Sequence, residues 1–248
     1  AQLYILFGDL EKSKNTINII ISLEPLNLAT HLTHVRFLLK TNRLDNAKIL
    51  ITNCYDFYPK NKEVCFLLGT YHAMARNFNE AIKLFDESLA LDSCYRDALL
   101  GNAMANASIK RFDEAVSLAR SAIKVNPKIV KSWLTLASIL EISNQINNAK
   151  DTYKRVIKLD KSNEIAYLKL AAIQYHNQEF KESIKNYESV LKINPENSEA
   201  YSKKGLAFFC LQKYTEAFQD QKKALSLCPN SAEIRLNLAR TLIGLGHL

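Results

Sequence analysis

Apolar and polar residues follow one another along this chain in a pattern that repeats every 34 residues. Each period holds two stretches of helix length, at about positions 1–14 and 17–31. In the first stretch, apolar residues recur at three-to-four spacing, as in Trp133, Leu136 and Leu140. This spacing predicts helices with one apolar face. The break between the two stretches is short and polar, as in ARNFNE and LQKYTE, and it predicts a tight turn between antiparallel helices.

A proline marks the end of most periods. Five prolines follow one another at intervals of 34, 68, 68 and 34 residues: Pro25, Pro59, Pro127, Pro195 and Pro229. Ser93 and Lys161 take the two missing places. Because proline has no N–H to donate and disfavours helix at the preceding residue, the second helix of each pair is predicted to end here. We number each period so that this column is position 32, which places residues 28, 62, 96, 130, 164, 198 and 232 at position 1.

Five columns of this alignment predict how the helices pack and begin. Positions 17 and 30 are apolar in every copy and are predicted to fill the core, whereas positions 8 and 20 are mostly small, which lets helix axes approach closely. Position 34 carries a residue that can cap the next helix in five copies: Asn27, Asn61, Asn163, Asn197 and Ser231. Acidic residues follow in the first turn, where the helix dipole favours them: Glu63, Asp97, Glu199 and Glu233.

A helix–turn–helix unit of 34 residues with these side chains resembles the tetratricopeptide repeat. The matching residues of one copy are Trp133, Leu136, Ala137, Ala149, Tyr153 and Asp160, and residues 200–231 match more closely still. The resemblance covers the whole chain as about seven repeats without insertions: a partial repeat over 1–27, repeats over 28–61, 62–95, 96–129, 130–163, 164–197 and 198–231, and a terminal helix over 232–248. It implies an all-α solenoid of antiparallel helix pairs, a right-handed superhelix whose concave groove is lined by the first helices. Five polar residues depart from the pattern at ordinarily apolar positions: His31, His34, Asn102, Asn106 and Lys204.

Composition agrees with a helical protein outside the membrane. Of the 248 residues, 48% are apolar and 23% charged, and only six are Gly. No stretch approaches the ~18–20 apolar residues of a membrane span, and residues 1–14 lack the basic start and cleavage site of a signal peptide. The five cysteines form no CxxC pair, and we interpret them as reduced thiols on helical core positions, which indicates a cytoplasmic location.

The formal net charge of +8 raises the question of nucleic-acid binding. The excess lies mainly in residues 96–163, which hold 12 basic and 6 acidic residues. Lys150, Lys154, Arg155 and Lys158 follow helical spacing within this range. A solvated helix face explains that spacing, so we predict no nucleic-acid partner.

Motifs for catalysis or cofactor binding are absent from the sequence. There is no glycine-rich phosphate loop and no GxSxG or HExxH motif, and repeats without insertions leave no long loop to enclose a site. We therefore predict that the chain is not an enzyme and binds no cofactor. His31, His34, Cys54, Cys65 and His72 fall on neighbouring core columns, and mixed Cys and His sets bind zinc. We favour polar residues of a degenerate repeat over a metal site here.

The resemblance assigns the groove to positions 2, 5, 6, 9, 12 and 13 of each repeat. These positions are largely apolar, with a few charges such as Lys131 and Glu141. The partner-binding residues that we expect there are Arg36, Phe66, Leu100, Met104, Leu134, Leu168, Lys169, Tyr175, Lys203 and Phe209. At position 5, packing against the next helix is an equal alternative to partner contact.

Two groove chemistries known in this family do not match. Co-chaperones of the family grip a C-terminal carboxylate with Lys at position 5 and Asn at position 9, and no repeat here has either residue there. O-linked N-acetylglucosamine transferases carry a ladder of Asn at position 6, of which only Asn237 is kept.

We therefore expect a non-catalytic scaffold that binds an amphipathic helix or an extended apolar peptide in its groove. One alternative is the substrate-recruiting arm of a longer enzyme, such as a glycosyltransferase resembling those transferases. Another is a self-assembling structural scaffold. Apolar residues near the two ends, among them Leu3, Phe7, Ile243 and Leu245, predict that the chain is part of a longer protein or that its ends pack on another copy.

Overall fold

The computed structural model describes residues 27–246, and every regular element in this range is an α-helix. The first helices of the pairs are α1 (Leu28–Lys40), α3 (Lys62–Met74), α5 (Arg96–Ser108), α7 (Val130–Ile142), α9 (Glu164–His176), α11 (Ser198–Cys210) and α13 (Ala232–Gly244). The second helices are α2 (Leu44–Phe57), α4 (Phe78–Leu91), α6 (Phe112–Val125), α8 (Ile146–Leu159), α10 (Phe180–Ile193) and α12 (Tyr214–Leu227). First helices thus occupy positions 1–13 and second helices positions 17–30. The predicted partial repeat lies outside the described residues, apart from Asn27.

The described residues form two compact units, which divide between Thr135 and Leu136, within α7. In the first unit, the consecutive helices α1 to α6 pack on one another, α1 also contacts α3, and α3 contacts α5. In the second unit, helices α8 to α13 pack in the same order, with further contacts of α9 with α11 and of α11 with α13. Each unit is therefore a stack of helix pairs in which the first helices lie side by side.

The small residues at positions 8 and 20 let the two helices of a pair touch each other's backbone. Within residues 27–246, all six residues at position 20 are fully buried: Ala47, Ala81, Ala115, Ala149, Ser183 and Ala217. Ser183 Oγ donates to the carbonyl of Ala171, at position 8, across 2.8 Å. A Cβ atom added to Gly69, also at position 8, would lie 3.3 Å from the carbonyl oxygen of Ala81. The predicted close approach is confirmed.

The prediction that position 30 fills the core is wrong in four repeats. Phe57 is 81% exposed, and the exposed fractions of Leu91, Val125 and Ile193 are 46%, 42% and 36%. Position 30 is the last residue of each second helix, so its side chain lies at the edge of the helix stack, where few neighbours cover it. Position 27, one turn earlier, holds the buried residues instead: Cys54, Ser88, Ala122, Val156, Val190 and Ala224.

The predicted caps are confirmed. Asn27, Asn61, Asn163, Asn197 and Ser231 each accept a backbone N–H from the first turn of the helix that follows. At position 31, four further side chains accept the N–H two residues on, at 3.0–3.2 Å: Asp92, Asn126, Asp160 and Asn194. Asp92 and Asp160 belong to the two turns without proline, so a carboxylate shapes the backbone there. Hydrogen bonds from Lys62 and from Asn163 lower the pKa of Asp92 and of Asp160, respectively.

The tight turn after each first helix depends on a left-handed residue at position 15. Six such residues have φ between 56° and 65° although none is glycine: Asn42, Arg76, Lys110, Asn144, Gln178 and Gln212. Gly246 takes the corresponding place after α13, with φ of 75°. For a residue with a Cβ atom this conformation costs about 1–2 kcal/mol, and Asn tolerates it best.

Candidate functional site

An apolar pocket of about 400 Å³ opens in the first unit, on the side of the first helices. Three residues predicted for the groove line it, namely Phe66 of α3 and Leu100 and Met104 of α5. Lys131, from the first turn of α7, stands at its margin. We call this site the α3–α5 pocket. The other two predicted residues of this unit, Arg36 and Leu134, are not among the residues that line it.

The floor of the α3–α5 pocket includes Phe85, a residue of a second helix. Its side chain is 1% exposed, and its ring centroid lies 6.0 Å from that of Phe66. A Cβ atom on Gly69 would lie 2.9 Å from the Phe85 ring, and one on Gly101 would lie 2.8 Å from it. The two glycines therefore make room for this ring between α3 and α5. Sequence reasoning missed Phe85, because it assigned the groove to first helices alone.

The upper part of the pocket is apolar and accessible. Met74 and Met104 are 40% and 41% exposed, whereas Leu100 is only 3% exposed and packs in the core with Leu99 and Ala122. Methionine side chains are flexible and polarisable, so they adapt to varied apolar partners. Residues at position 5 therefore differ in burial from repeat to repeat. Leu100 is buried and forms part of the pocket floor, whereas Phe66 is half-buried and forms part of its wall.

Hydroxyl groups lining the pocket bond to their own helices. Thr70 Oγ1 donates to the carbonyl of Phe66 at 2.8 Å, Ser108 Oγ to that of Met104 at 2.9 Å, and Thr135 Oγ1 to that of Lys131 at 3.0 Å. Lys131 differs from them, since its side chain is 67% exposed and its Nζ lies 3.4 Å from Asp97 Oδ1. Asp97 Oδ1 also lies 3.6 Å from Arg96 Nη2.

Arg36 pairs with an acidic residue of the neighbouring first helix. Its guanidinium donates to Glu63 Oε1, from position 9 of α1 to position 2 of α3. Tyr95 is half-buried nearby, and this burial raises the pKa of its hydroxyl to about 12, although the Arg36 charge opposes this rise. The predicted role of Arg36 in partner binding therefore competes with an ion pair inside the unit.

In the second unit, both predicted lysines at position 6 are paired. Lys169 Nζ donates to Glu141 Oε1 at 3.1 Å, and Glu141 Oε2 accepts from Tyr153 Oη at 2.8 Å. Lys203 Nζ donates to Glu233 Oε1 at 2.7 Å, and this bond lowers the pKa of Glu233. Each pair joins neighbouring first helices on one surface.

The predicted aromatic residues of this unit pack on the following helix of the same repeat. The ring centroids of Tyr175 and Phe180 lie 5.5 Å apart, and those of Phe209 and Tyr214 lie 5.4 Å apart, both in edge-to-face geometry. Tyr175 Oη also lies 3.6 Å from Cys210 Sγ. Burial is the main cause that raises the pKa of Tyr175 to about 12. Leu168 packs against the core cluster around Ala171, Tyr187, Val190 and Ala200.

The histidine and cysteine residues weighed as a metal site lie on three successive helices, α1, α2 and α3. Within residues 27–246, no three His, Cys, Asp or Glu side chains are grouped so as to hold a metal ion. Burial lowers the pKa of His34 and His72, and raises the pKa of Cys54 and Cys65. Cys65 Sγ donates to the carbonyl of Pro59 at 3.3 Å. Two cysteines are exposed, Cys94 and Cys210, so the expectation of core positions is wrong for them.

Three family models of the tetratricopeptide repeat match the chain, over residues 66–128, over 130–163 and 198–231, and over 173–212. Together with the stacked helix pairs, these matches show that the chain belongs to the tetratricopeptide repeat proteins. Heat shock protein STI1 of Saccharomyces cerevisiae is 28% identical over 91 residues, which are 36% of this chain and 15% of that protein. The chain thus matches only a small part of the length of that relative.

Solved structures of tetratricopeptide repeat proteins share the fold. The structure of pilF from Pseudomonas aeruginosa has a TM-score of 0.71 at 15% identity, over 86% of this chain and 96% of that chain. The structure of the Cut9–Hcn1 hetero-tetramer of the APC/C has a TM-score of 0.66 at 18% identity, over 92% of this chain and 45% of that chain. YrrB, a TPR protein with an unusual peptide-binding site, has a TM-score of 0.61 at 15% identity, over 75% and 96% of the two chains. None of the helices within residues 27–246 has the length and apolar character needed to cross a membrane.

Proposed function

We propose that this chain is a non-catalytic protein-interaction scaffold, and that the α3–α5 pocket receives an apolar side chain of a partner protein. The observation that carries the proposal is the exposure of Met74 and Met104 above a floor of Phe85 and Leu100. Exposed apolar side chains around a concavity are typical of sites that bind protein or ligand. The likeness to YrrB, whose site binds peptide, favours the same class of function.

The energetics of such a pocket suit a weak or moderate interaction. Full burial of a Leu or Phe side chain of the partner contributes about 1.5–3 kcal/mol. Further contacts on either unit add to this, and the residues that we expect to provide them in the second unit are Leu168, Lys169, Tyr175, Lys203 and Phe209. An apolar anchor surrounded by weaker contacts is the common distribution of energy in protein interfaces.

A charged substitution in the pocket, compared with a control substitution outside it, tests this function. Met104→Glu places a carboxylate in the pocket wall, and Leu91→Glu places one at a site of similar exposure, 46% against 41%, outside the pocket. The natural chain, Met104→Glu and Leu91→Glu are each used for affinity capture from cell extract, and the captured proteins are compared by quantitative mass spectrometry. We expect some proteins to be captured by the natural chain and by Leu91→Glu but not by Met104→Glu. Each such protein is then purified, and its affinity for the three chains is measured by calorimetry.

We expect Met104→Glu to weaken the purified pair at least tenfold, and Leu91→Glu to leave it within a factor of two, since buried charge without a partner is costly. If every captured protein binds the natural chain and Met104→Glu equally well, the α3–α5 pocket is not the binding site.

A further inference from the structure

We infer that the occupant of the α3–α5 pocket is an amphipathic helix of the partner, which inserts an apolar side chain and places an acidic side chain against Lys131. This inference rests on the proposed function and names the conformation and charge of the segment that the pocket takes. It separates two ligand types that the sequence leaves open, a helix and an extended peptide. The separation follows from the hydrogen-bonding groups that the pocket offers.

An extended peptide needs donors from the surface on which it lies. Each of its residues has a backbone carbonyl that loses water when it is pressed against an apolar floor, and an unsatisfied carbonyl costs about 1–3 kcal/mol. A helix satisfies its own backbone through bonds between residues four apart, so only its side chains face the protein. The number of donors in the pocket therefore decides which of the two conformations binds more favourably.

The α3–α5 pocket is poor in donors. The hydroxyl hydrogens of Thr70, Ser108 and Thr135 are already donated to carbonyls of their own helices. None of the residues that line the pocket in the described part of the chain is Asn or Gln. Of the side chains that line the pocket, only Lys131 has N–H groups that are not all used in bonds to neighbouring residues.

The two asparagines of α5 do not compensate, because both are buried and neither lines the pocket. Asn102 is 1% exposed and donates to Asp86 Oδ1 at 2.6 Å. Asn106 is 5% exposed and donates to Asn102 Oδ1 at 2.7 Å. Both amides are buried and bonded within the unit, so neither is available to a peptide backbone.

Lys131 indicates which charge the bound partner helix carries. Its ammonium is exposed at the margin of an apolar pocket, and the 3.4 Å contact with Asp97 is long for a charge-assisted bond. Arg96 Nη2 lies 3.6 Å from the same oxygen of Asp97, so two cations share one carboxylate and positive charge is in excess at this margin. An acidic side chain of the partner, three or four residues from the apolar anchor, lies on the same face of a helix and reaches this ammonium.

The test begins with selection of 18-residue peptides from a fully randomised display library, with the whole 248-residue chain as the target. Parallel selections against Met104→Glu and Leu91→Glu identify peptides that depend on the pocket. We expect those peptides to carry apolar residues at three-to-four spacing, with Asp or Glu on the same face. An enrichment of alternating apolar residues overturns the inference and leaves the proposed function standing. If no peptide discriminates Met104→Glu from the natural chain, the pocket binds no segment, and both proposals fail.

Two measurements on the synthesised peptides complete the test. Proline is placed in the middle of each peptide, at a residue whose change to Ala leaves the affinity unaltered. A helical ligand should lose at least tenfold in affinity, because proline breaks the helix. An unchanged affinity contradicts a helical occupant.

The second measurement is a double-mutant cycle between Lys131→Gln and the change of the acidic residue of the peptide to its amide. Each change alone should weaken binding about threefold to tenfold, and the two together should weaken it no further. Purely additive effects overturn the role of Lys131. Circular dichroism and the unfolding midpoint of Lys131→Gln confirm that the fold is retained.

Discussion

Lys204 and Asp220 form an ion pair in the interior of the second unit, with 3.1 Å between Nζ and Oδ1. Their side chains are only 14% and 12% exposed. Lys204 stands at a position that is ordinarily apolar, and its Nζ also lies 5.7 Å from the ring centroid of Tyr201. Within residues 27–246, Asp220 Oδ2 has no hydrogen-bond partner. Burial raises the pKa of Asp220 to about 6, although Lys204 opposes this rise.

This pair makes stability depend on pH in an unusual direction for a carboxylate. Because the pKa of Asp220 is higher in the folded chain than its ordinary value, between about pH 4 and 6 the folded chain keeps a proton that the unfolded chain has released. The stabilising effect is therefore present at low pH and is lost as the pH rises through about 6. We expect the free energy of unfolding of the natural chain, relative to that of Asp220→Asn, to fall from pH 4 to pH 7. Urea denaturation of both chains across this range measures the difference, and a constant or rising difference contradicts the prediction.

The contact between Gly69 and Phe85 predicts a steric effect. Gly69→Ala improves helix propensity by about 1 kcal/mol, but its Cβ atom would lie 2.9 Å from the buried Phe85 ring. We expect a net destabilisation of about 1–3 kcal/mol, since a close-packed core yields little. Phe85→Leu should relieve the contact, so the double variant should be at least 0.5 kcal/mol more stable than the sum of the single effects implies. A more stable Gly69→Ala chain would show that the Phe85 ring moves at little cost.

The left-handed residues at position 15 predict a way to stabilise the chain. Gln178 has φ of 62°, and its change to Gly removes the strain of the Cβ atom while it increases the entropy of the unfolded chain. We expect a net gain of about 0.5 kcal/mol in the free energy of unfolding. Asn144, with φ of 60°, is the matched control, because Asn tolerates this conformation and Asn144→Gly should gain little. Equal gains at both sites, measured by chemical denaturation, would contradict the assignment of strain to Gln178.

First and second helices differ in side-chain capping, so a change of Asn to Ala before a helix should have unequal effects on the two. Asn61 Oδ1 accepts the N–H groups of Glu63 and Val64 at the start of α3, at 3.0 and 3.2 Å. Asn77 precedes α4 without any side-chain hydrogen bond to the helix. We therefore expect Asn61→Ala to cost about 1 kcal/mol and Asn77→Ala to cost a few tenths at most. Thermal denaturation of the two variants measures both effects, and similar costs would refute the role of the Asn61 side chain.

The period, the helices and the turns between them are predictable from the sequence without a structure. These features depend on residues close together in the chain, such as the proline or aspartate that ends a helix and the Asn61 side chain that caps the next. The small columns were also readable, because Ala81 must accommodate the backbone of a partner helix in the same repeat. The side of the first helices as the place of the groove, with Phe66 and Met104, came from the resemblance to the tetratricopeptide repeat.

Tertiary structure alone decided which members of a column are buried and how the pocket is formed. A side chain at position 5 or 30 is covered, or left exposed, by residues of neighbouring helices, whose sizes vary from one repeat to the next. Thus Leu100 is 3% exposed, whereas Leu236, in the same column, is 52% exposed. Phe85 reaches the pocket floor because Gly69 and Gly101, on two different helices, leave room for its ring. The buried pair of Lys204 and Asp220 likewise depends on the packing of α11 against α12, since only that contact brings the two charges together out of water.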